Sequence, residues 1–252
     1  MATSNRETTS EAAPSGRRAR LREWTREEIK SAALRQLAQD GVEGLSLNAI
    51  AKELGMTGPA LYRYVASRDE LLADLVVDAW KELADAVERA GNEKPEASAA
   101  ERLGAIGLAY RSWGTSQPHR YRLAMQTRLG SGELAPERVI PEAQRAMEVI
   151  LDAIEDLPKS RKPTPDPPAE LRAELETWTT RVGGRVRPPA ILLHGVIFWS
   201  RVHGMISLEL DGHLASMQLD AELLYRSELA ALGGRDVNSP EGGRAAPAKA
   251  RG

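Results

Sequence analysis

The chain has 252 residues, 42% of them hydrophobic. That is enough for one or two domains with a real core, and it excludes a wholly disordered chain or a small stapled scaffold. It has no cysteine, which removes disulfides, thiolate metal sites and cysteine nucleophiles, and its 34 basic and 36 acidic side chains leave a net charge of −2.

Near-neutrality argues against a nucleic-acid partner only until the charge is placed along the chain. Residues 17–68 hold ten basic and six acidic side chains, or +4; residues 1–16 carry −1 and everything beyond residue 68 carries −5. A positive segment is therefore joined to an acidic body, which suits phosphate binding by the first part without coating of DNA by the second. Arginine supplies 27 of the basic residues, and Ala, Gly and Pro are abundant, a composition that fits a GC-rich bacterial genome. Met1 to Gly16 lacks the apolar region of a signal peptide. The stretch from Ala190 to Leu210 is interrupted by His194, Arg201, His203 and Glu209, so it reads as a buried helix rather than a span. The expectation is a cytoplasmic protein without a membrane partner.

In chain order, residues 1–21 are polar and aperiodic and end in Arg17, Arg18, Arg20 and then Arg22, which reads as a disordered basic arm. Thr25 with Glu28 suggests a capping box for a helix whose apolar face is Ile29, Ala33, Leu34, Leu37 and Ala38, stopped at Gly41. Ser46 caps a short helix with Leu47, Ile50, Ala51 and Leu54 inward, closed at Gly55. Thr57 caps another, with Pro59 tolerated in its first turn and Leu61 and Val65 inward. Ser67 and Glu70 form a second capping box, opening a long helix with Leu72, Val76, Ala79, Leu83 and Val87 on one stripe to about Gly91. Further helices are expected at approximately 98–114, 118–127, 136–156, 169–181, 189–209 and 219–232. The proline-dense stretch from Leu157 to Pro168 reads as an exposed connector, and residues 233–252 as a disordered tail. Alternating β-branched runs are absent, so the fold class is all-α. The expected domains are an arm (1–21), a DNA-binding domain (22–68), a helical regulatory and dimerisation domain (69–232) and a tail (233–252).

Residues 46–65 are two short helices joined at Gly55, the helix-turn-helix layout in which the second helix enters the major groove. With Ile50, Ala51, Leu54, Leu61 and Val65 inward, Thr57, Gly58, Ala60, Tyr62, Arg63 and Tyr64 are left to face a groove. The run Ile50-Ala51-Lys52-Glu53-Leu54-Gly55-Met56-Thr57-Gly58-Pro59-Ala60-Leu61-Tyr62-Arg63-Tyr64-Val65, continuing to Leu72, resembles the DNA-binding signature of TetR/AcrR-type regulators. The helix lengths, the turn glycine and the Leu61-Tyr62 pair coincide. Val65 departs from a usual aromatic and Arg68 from a usual lysine. Trp199-Ser200-Arg201-Val202-His203-Gly204 is similar to the Trp-His-Gly segment of one subgroup's C-terminal domain.

The resemblance implies a homodimeric, usually repressing transcription factor that binds a palindromic double-stranded operator and is released by a small-molecule effector. An N-terminal three-helix DNA-binding domain would be joined by the long helix to a C-terminal ligand-binding and dimerisation bundle. By the same resemblance Thr57, Gly58, Ala60 and Tyr62 would approach bases or sugar, with Arg63 and Tyr64 on bases or phosphates. Arg68 would hold a phosphate at the start of the next helix. Thr25, Ser46 and Asn48 are placed at helix N-termini, where backbone N–H groups favour phosphate. Arg17, Arg18 and Arg20 would lie along the backbone or in a minor groove. With one arginine and no Asn or Gln on the second helix, direct readout is sparse and DNA shape is expected to contribute.

For the second domain, Tyr110 with Trp113, Tyr121 with Met125, and His194 with Phe198 recur at helical spacing. Together with Trp178 and Arg201 they form the candidate effector pocket. His194 and His203 stand on opposite faces of one helix and cannot share a metal. His203 is expected to be a hydrogen-bonded core histidine whose neighbour Gly204 allows a close helix contact. No cofactor, metal or catalytic residue is expected. Leu219, Leu223, Leu229 and Leu232 on the last helix, and Ile191, Phe198, Val202 and Met205 on the one before, are the candidate dimer faces. A constitutive DNA-binding protein without effector and, more remotely, a helical enzyme of unknown reaction are the alternatives.

Overall fold

The structure, a computed structural model, describes residues 14–126, 136–158 and 166–233, and these contain helices and no strand. The helices are α1 (Pro14–Asp40), α2 (Leu47–Glu53), α3 (Gly58–Leu61), α4 (Arg68–Asn92), α5 (Ala99–Ser116), α6 (Pro118–Gln126), α7 (Pro136–Glu155), α8 (Ala169–Val182), α9 (Pro189–Leu210), α10 (His213–Ser216) and α11 (Ala221–Leu232). The chain divides between Leu75 and Val76 into two compact units, seven residues beyond the boundary expected from the sequence.

The first unit packs Ile29, Ala32, Ala33 and Leu37 of α1 against Leu45, Leu47, Ile50, Ala51, Leu61, Val65, Leu71 and Leu72, all buried. Ala38, expected on the same face, is exposed. Two sequence expectations change at its start. The arm was expected to run aperiodically to residue 21, but α1 begins at Pro14, so Arg17, Arg18 and Arg20 lie on a helix. Pro14 is tolerated in the first helical position, and although Ser15 and Gly16 follow it, the run from Arg17 to Glu23 is made of strong helix formers. Consequently Thr25 is no cap: in mid-helix its hydroxyl donates to the Leu21 carbonyl at 2.9 Å, four residues back.

The turn between α2 and α3 is built as read. Gly55 is left-handed (φ +64°), its N–H donates to the Lys52 carbonyl and the Met56 N–H to the Ala51 carbonyl, which satisfies the last carbonyls of α2. Ser46 and Thr57 accept the N–H groups of Ala49 and Ala60 through their hydroxyls, each at 3.3 Å. At the start of α4, Ser67 accepts the Glu70 N–H (3.0 Å), while the Glu70 carboxylate takes the N–H of Ala66 rather than that of Ser67.

In the second unit α5 packs against α6, α7, α9 and α11, with Leu103, Ile106, Tyr110 and Trp113 buried. Gly107 lets α11 approach: an added Cβ would stand 2.3 Å from Leu229, and the Tyr225 hydroxyl donates to the Gly107 carbonyl at 3.0 Å. Although α9 is long and apolar enough to cross a bilayer, Ile191, Leu192, Phe198, Val202 and Ile206 are buried against neighbouring helices. The segment before α9 is held by Arg187, whose side chain is 1% exposed and faces Glu148, Asp152 and Glu155 of α7. Leu229 and Leu232, like Ile191, Phe198 and Val202, are buried within the chain, which removes them from the expected dimer faces. Leu208, Met217, Leu219, Leu223 and Leu224 are the apolar residues of this end left exposed.

Candidate DNA-reading surface and effector cavity

The helix-turn-helix frees one set of side chains. Leu61 is fully buried and Val65 nearly so, which turns Thr57, Tyr62 and Arg63 outward; Tyr62 is 52% exposed, and Gly58, Ala60 and Tyr64 are half-buried. Ser46 and Asn48 are exposed at the start of α2. The Ser46 N–H donates to Gln36 Oε1 at 2.9 Å, tying that start to α1. Arg35 grips Glu53 with two donors, at 3.0 and 2.6 Å, bracing the far end of α2.

Two of the expected phosphate contacts take a different place. Thr25 lies three turns inside α1, so no free N–H groups surround it. The Arg68 guanidinium turns back into its own unit, where Nε donates to the Leu45 carbonyl at 3.1 Å and Nη2 to the Val42 carbonyl. It fixes the turn that precedes α2. Arg22 is a residue the sequence reading missed: its guanidinium donates to the Arg63 carbonyl at 3.2 Å, joining α1 to the end of the recognition helix. Arg17, Arg18, Arg20 and Arg63 are exposed, and none makes an ion pair or hydrogen bond through its guanidinium among the described residues. Leu21 and Trp24, each 62% exposed, share the face of Arg17 and Arg20.

The second unit contains a cavity of about 990 Å³. Trp80, Leu83 and Val87 of α4, Tyr110 of α5, Met125 of α6, Met147 and Ile150 of α7, Trp178 of α8 and Trp199 of α9 supply most of its wall. Its polar lining is Gln144, Glu174 and Arg181. Of the eight residues expected here, Tyr110, Met125 and Trp178 line it and the other five do not. Trp113 is buried edge-on against Tyr121. Phe198 is fully buried in the helix packing. His194 meets the Leu232 carbonyl through Nε2 at 3.1 Å, and Arg201 pairs with Glu228. Tyr121 bonds His203 Nδ1 (2.7 Å), the His203 carbonyl (3.0 Å) and Ser207 Oγ (3.0 Å).

The Trp-His-Gly segment thereby acquires a structure. His203 is stacked between Trp199, which lines the cavity, and Tyr121. Burial lowers the His203 pKa, favouring the neutral ring, and pushes the Tyr121 phenol up to about 12. Gly204 has nothing within 4 Å of a built Cβ, so no close helix contact within the chain explains it. Trp80 and Trp199 were missed as cavity residues, although Trp80 shares a stripe with Leu83 and Val87 and Trp199 opens the quoted segment. Periodicity says which residues face inward but not which inward residues meet a void. Among the described residues no three His, Asp or Glu side chains gather as a metal site.

An exposed recognition helix in a helix-turn-helix, followed by a helical unit with an apolar cavity, defines a DNA-binding regulator of the one-component type. Residues 29–75 match the bacterial regulatory proteins of the tetR family, and residues 103–232 match a tetracyclin repressor-like C-terminal domain. The chain belongs to the TetR family of transcriptional regulators. It is 34% identical to the HTH-type transcriptional regulator Rv1816 of Mycobacterium tuberculosis over 224 residues, 84% of this chain and 92% of that one. The crystal structure of the regulatory protein SCO4313 is similar at 38% identity and a TM-score of 0.71, covering 85% of this chain and 97% of that one. FadR of Bacillus subtilis, in complex with stearoyl-CoA, shares the fold at 17% identity and a TM-score of 0.51, over 83% and 99% of the two chains.

Proposed function

We propose that two copies of the chain read a palindromic operator through α3 and that a small molecule in the cavity of the second unit releases them. The observation that carries the DNA half is the set of uncompensated cations: Arg63 beside exposed Thr57 and Tyr62, and Arg17, Arg18 and Arg20 on the first turns of α1. Arg63, Thr57, Gly58, Ala60, Tyr62 and Tyr64 would meet the groove, and Ser46 and Asn48 would offer the N-terminus of α2 to a phosphate. Held on a helix, the arginines of α1 would follow one strand rather than wander, with Arg22 fixing that helix to the end of α3.

A single short recognition helix has too small a footprint for operator-grade affinity, and two-fold dimers with half-sites about 34–36 Å apart are the usual solution. Leu208, Leu219, Leu223 and Leu224, exposed on one protomer, are the apolar groups available to a second copy. The cavity volume falls at the upper end of small-molecule sites, and α4 is the covalent path from its wall to the first unit. Coupling of ~1–3 kcal/mol between the two sites changes operator affinity roughly 5–150-fold. The reading is of a cytoplasmic bacterial repressor that binds rather than catalyses.

Selection of bound sequences from random DNA, followed by footprinting, tests it. A two-fold palindrome is the expected product, with Tyr62→Ala and Arg63→Ala each losing binding while melting stays cooperative. Recovery of no preferred sequence, or unchanged affinity in both variants, would sink the assignment of α3.

A further inference from the structure

We propose that the effector is an uncharged, largely apolar molecule carrying a hydrogen-bond acceptor, and that the Tyr110 hydroxyl donates to that acceptor. The inference rests on the effector reading above and narrows it to a chemical class.

Trp80, Tyr110, Trp178 and Trp199 give the cavity wall four aromatic rings, and the remaining inner residues are aliphatic or thioether. The charged lining groups are Glu174 and Arg181, both exposed, of opposite sign, and on the same face of α8 on either side of Trp178. They select neither a cation nor an anion. Gln144 already donates its amide to Glu148 Oε1 at 2.6 Å. An ion entering the cavity would lose its water without gaining a buried counter-ion, whereas a neutral apolar body would only gain contacts.

Tyr110 is 1% exposed and lines the cavity, yet its hydroxyl donates to the Met125 sulfur at 3.5 Å. A thioether is a weak acceptor, so the phenolic proton is poorly used. Burial raises the Tyr110 pKa, which keeps that proton in place. The indole N–H of Trp80, a second lining residue, is buried and has no partner among the described residues. A ketone, ester or ether oxygen at Tyr110 would replace sulfur with a full acceptor. Because Tyr110 belongs to α5 and Met125 to α6, the exchange would alter the link between those two helices.

Three probes with a twelve-carbon chain separate the classes: the neutral ketone laurdan, the carboxylate laurate and the cation dodecyltrimethylammonium, titrated below micelle formation onto the full chain by tryptophan quenching. Laurdan is expected to bind most tightly, with the red-shifted emission of a hydrogen-bonded ketone. Tyr110→Phe is expected to weaken it roughly three- to tenfold, the worth of one net hydrogen bond, and to shift the emission to the blue. If that variant fails to fold, the laurdan analogue with a methylene in place of the ketone, bound to the unaltered chain, should show the same loss. Tighter binding of laurate or dodecyltrimethylammonium overturns the proposal and leaves the effector reading standing. Equal affinity and emission in Tyr110→Phe, or equal affinity of the methylene analogue, also overturns it. Failure of all three probes to bind overturns the effector reading itself.

Discussion

Replacing Arg68 by alanine distinguishes a brace from a phosphate contact. Its guanidinium donates to the carbonyls of Val42 and Leu45, so the variant removes one donor from each; Val42 keeps the Leu45 N–H at 3.2 Å, while Leu45 loses its Arg68 donor. A hydrogen bond from a charged donor is worth ~1.5–3 kcal/mol, but the Arg68 side chain is 36% exposed and water can replace part of it. We therefore expect a loss of about 1–2 kcal/mol, or ~5–10 °C in the melting of the first unit, read by calorimetry because two units need not unfold together. Operator affinity should fall by a similar factor at every salt concentration, with no change in the slope of log K against log salt. A phosphate contact would behave otherwise: the slope would drop by ~0.9 for each protomer while melting held steady. That second pattern would refute the placement of Arg68 argued from the structure.

Two further outcomes are expected. Arg187→Met removes the cation facing Glu148, Asp152 and Glu155; since those carboxylates are partly exposed, the cost should sit below the range for a fully buried pair, at about 2–3 kcal/mol in urea unfolding followed by tryptophan fluorescence, and an unchanged midpoint would contradict it. His203, whose pKa is lowered by burial, binds its proton more weakly folded than unfolded, so stability should fall as pH drops below about 6.5. His203→Gln should flatten the acid side of the melting-temperature profile, and an unaltered profile would remove His203 from the account.

The helices were legible because their signals are local. Gly55 permits the turn, Ser46 and Thr57 cap, and Ile50, Ala51, Leu61 and Val65 recur with the helical period, so α2 and α3 follow from residues close in sequence. The start of α1 was misread because Thr25 and Glu28 have the spacing of a capping box, while the helix is propagated from Pro14 by residues with no apolar period. Long-range geometry was the harder matter. Tyr121 and Met125 lie on one short helix, but Tyr121 is spent on His203 and Ser207 across the bundle while Met125 reaches the cavity. Nothing in their i, i+4 spacing separates those fates. Arg68 was likewise assigned by motif, and only the position of two carbonyls more than twenty residues upstream shows where its donors go.

The same geometry explains how a chain of net charge −2 can present itself to DNA. In the second unit many arginines meet carboxylates: Arg111 with Glu209, Arg120 with Glu82, Arg122 with Asp211, Arg145 with Asp85, Arg187 with Glu148 and Arg226 with Glu222, while Arg89, Arg172 and Arg181 are exposed without such a pair among the described residues. In the first, Arg35 is spent on Glu53 and Arg26 stands near Asp74, but Arg17, Arg18, Arg20 and Arg63 have no such partner among the described residues. Local field depends on which charges are neutralised at close range, because exposed charges further apart than ~8–10 Å are largely screened. A count over the whole chain therefore averages two kinds of arginine. Several of those paired with carboxylates join one helix to another, while Arg17, Arg18, Arg20 and Arg63, without such a pair among the described residues, all belong to the unit that the proposed function turns toward phosphate.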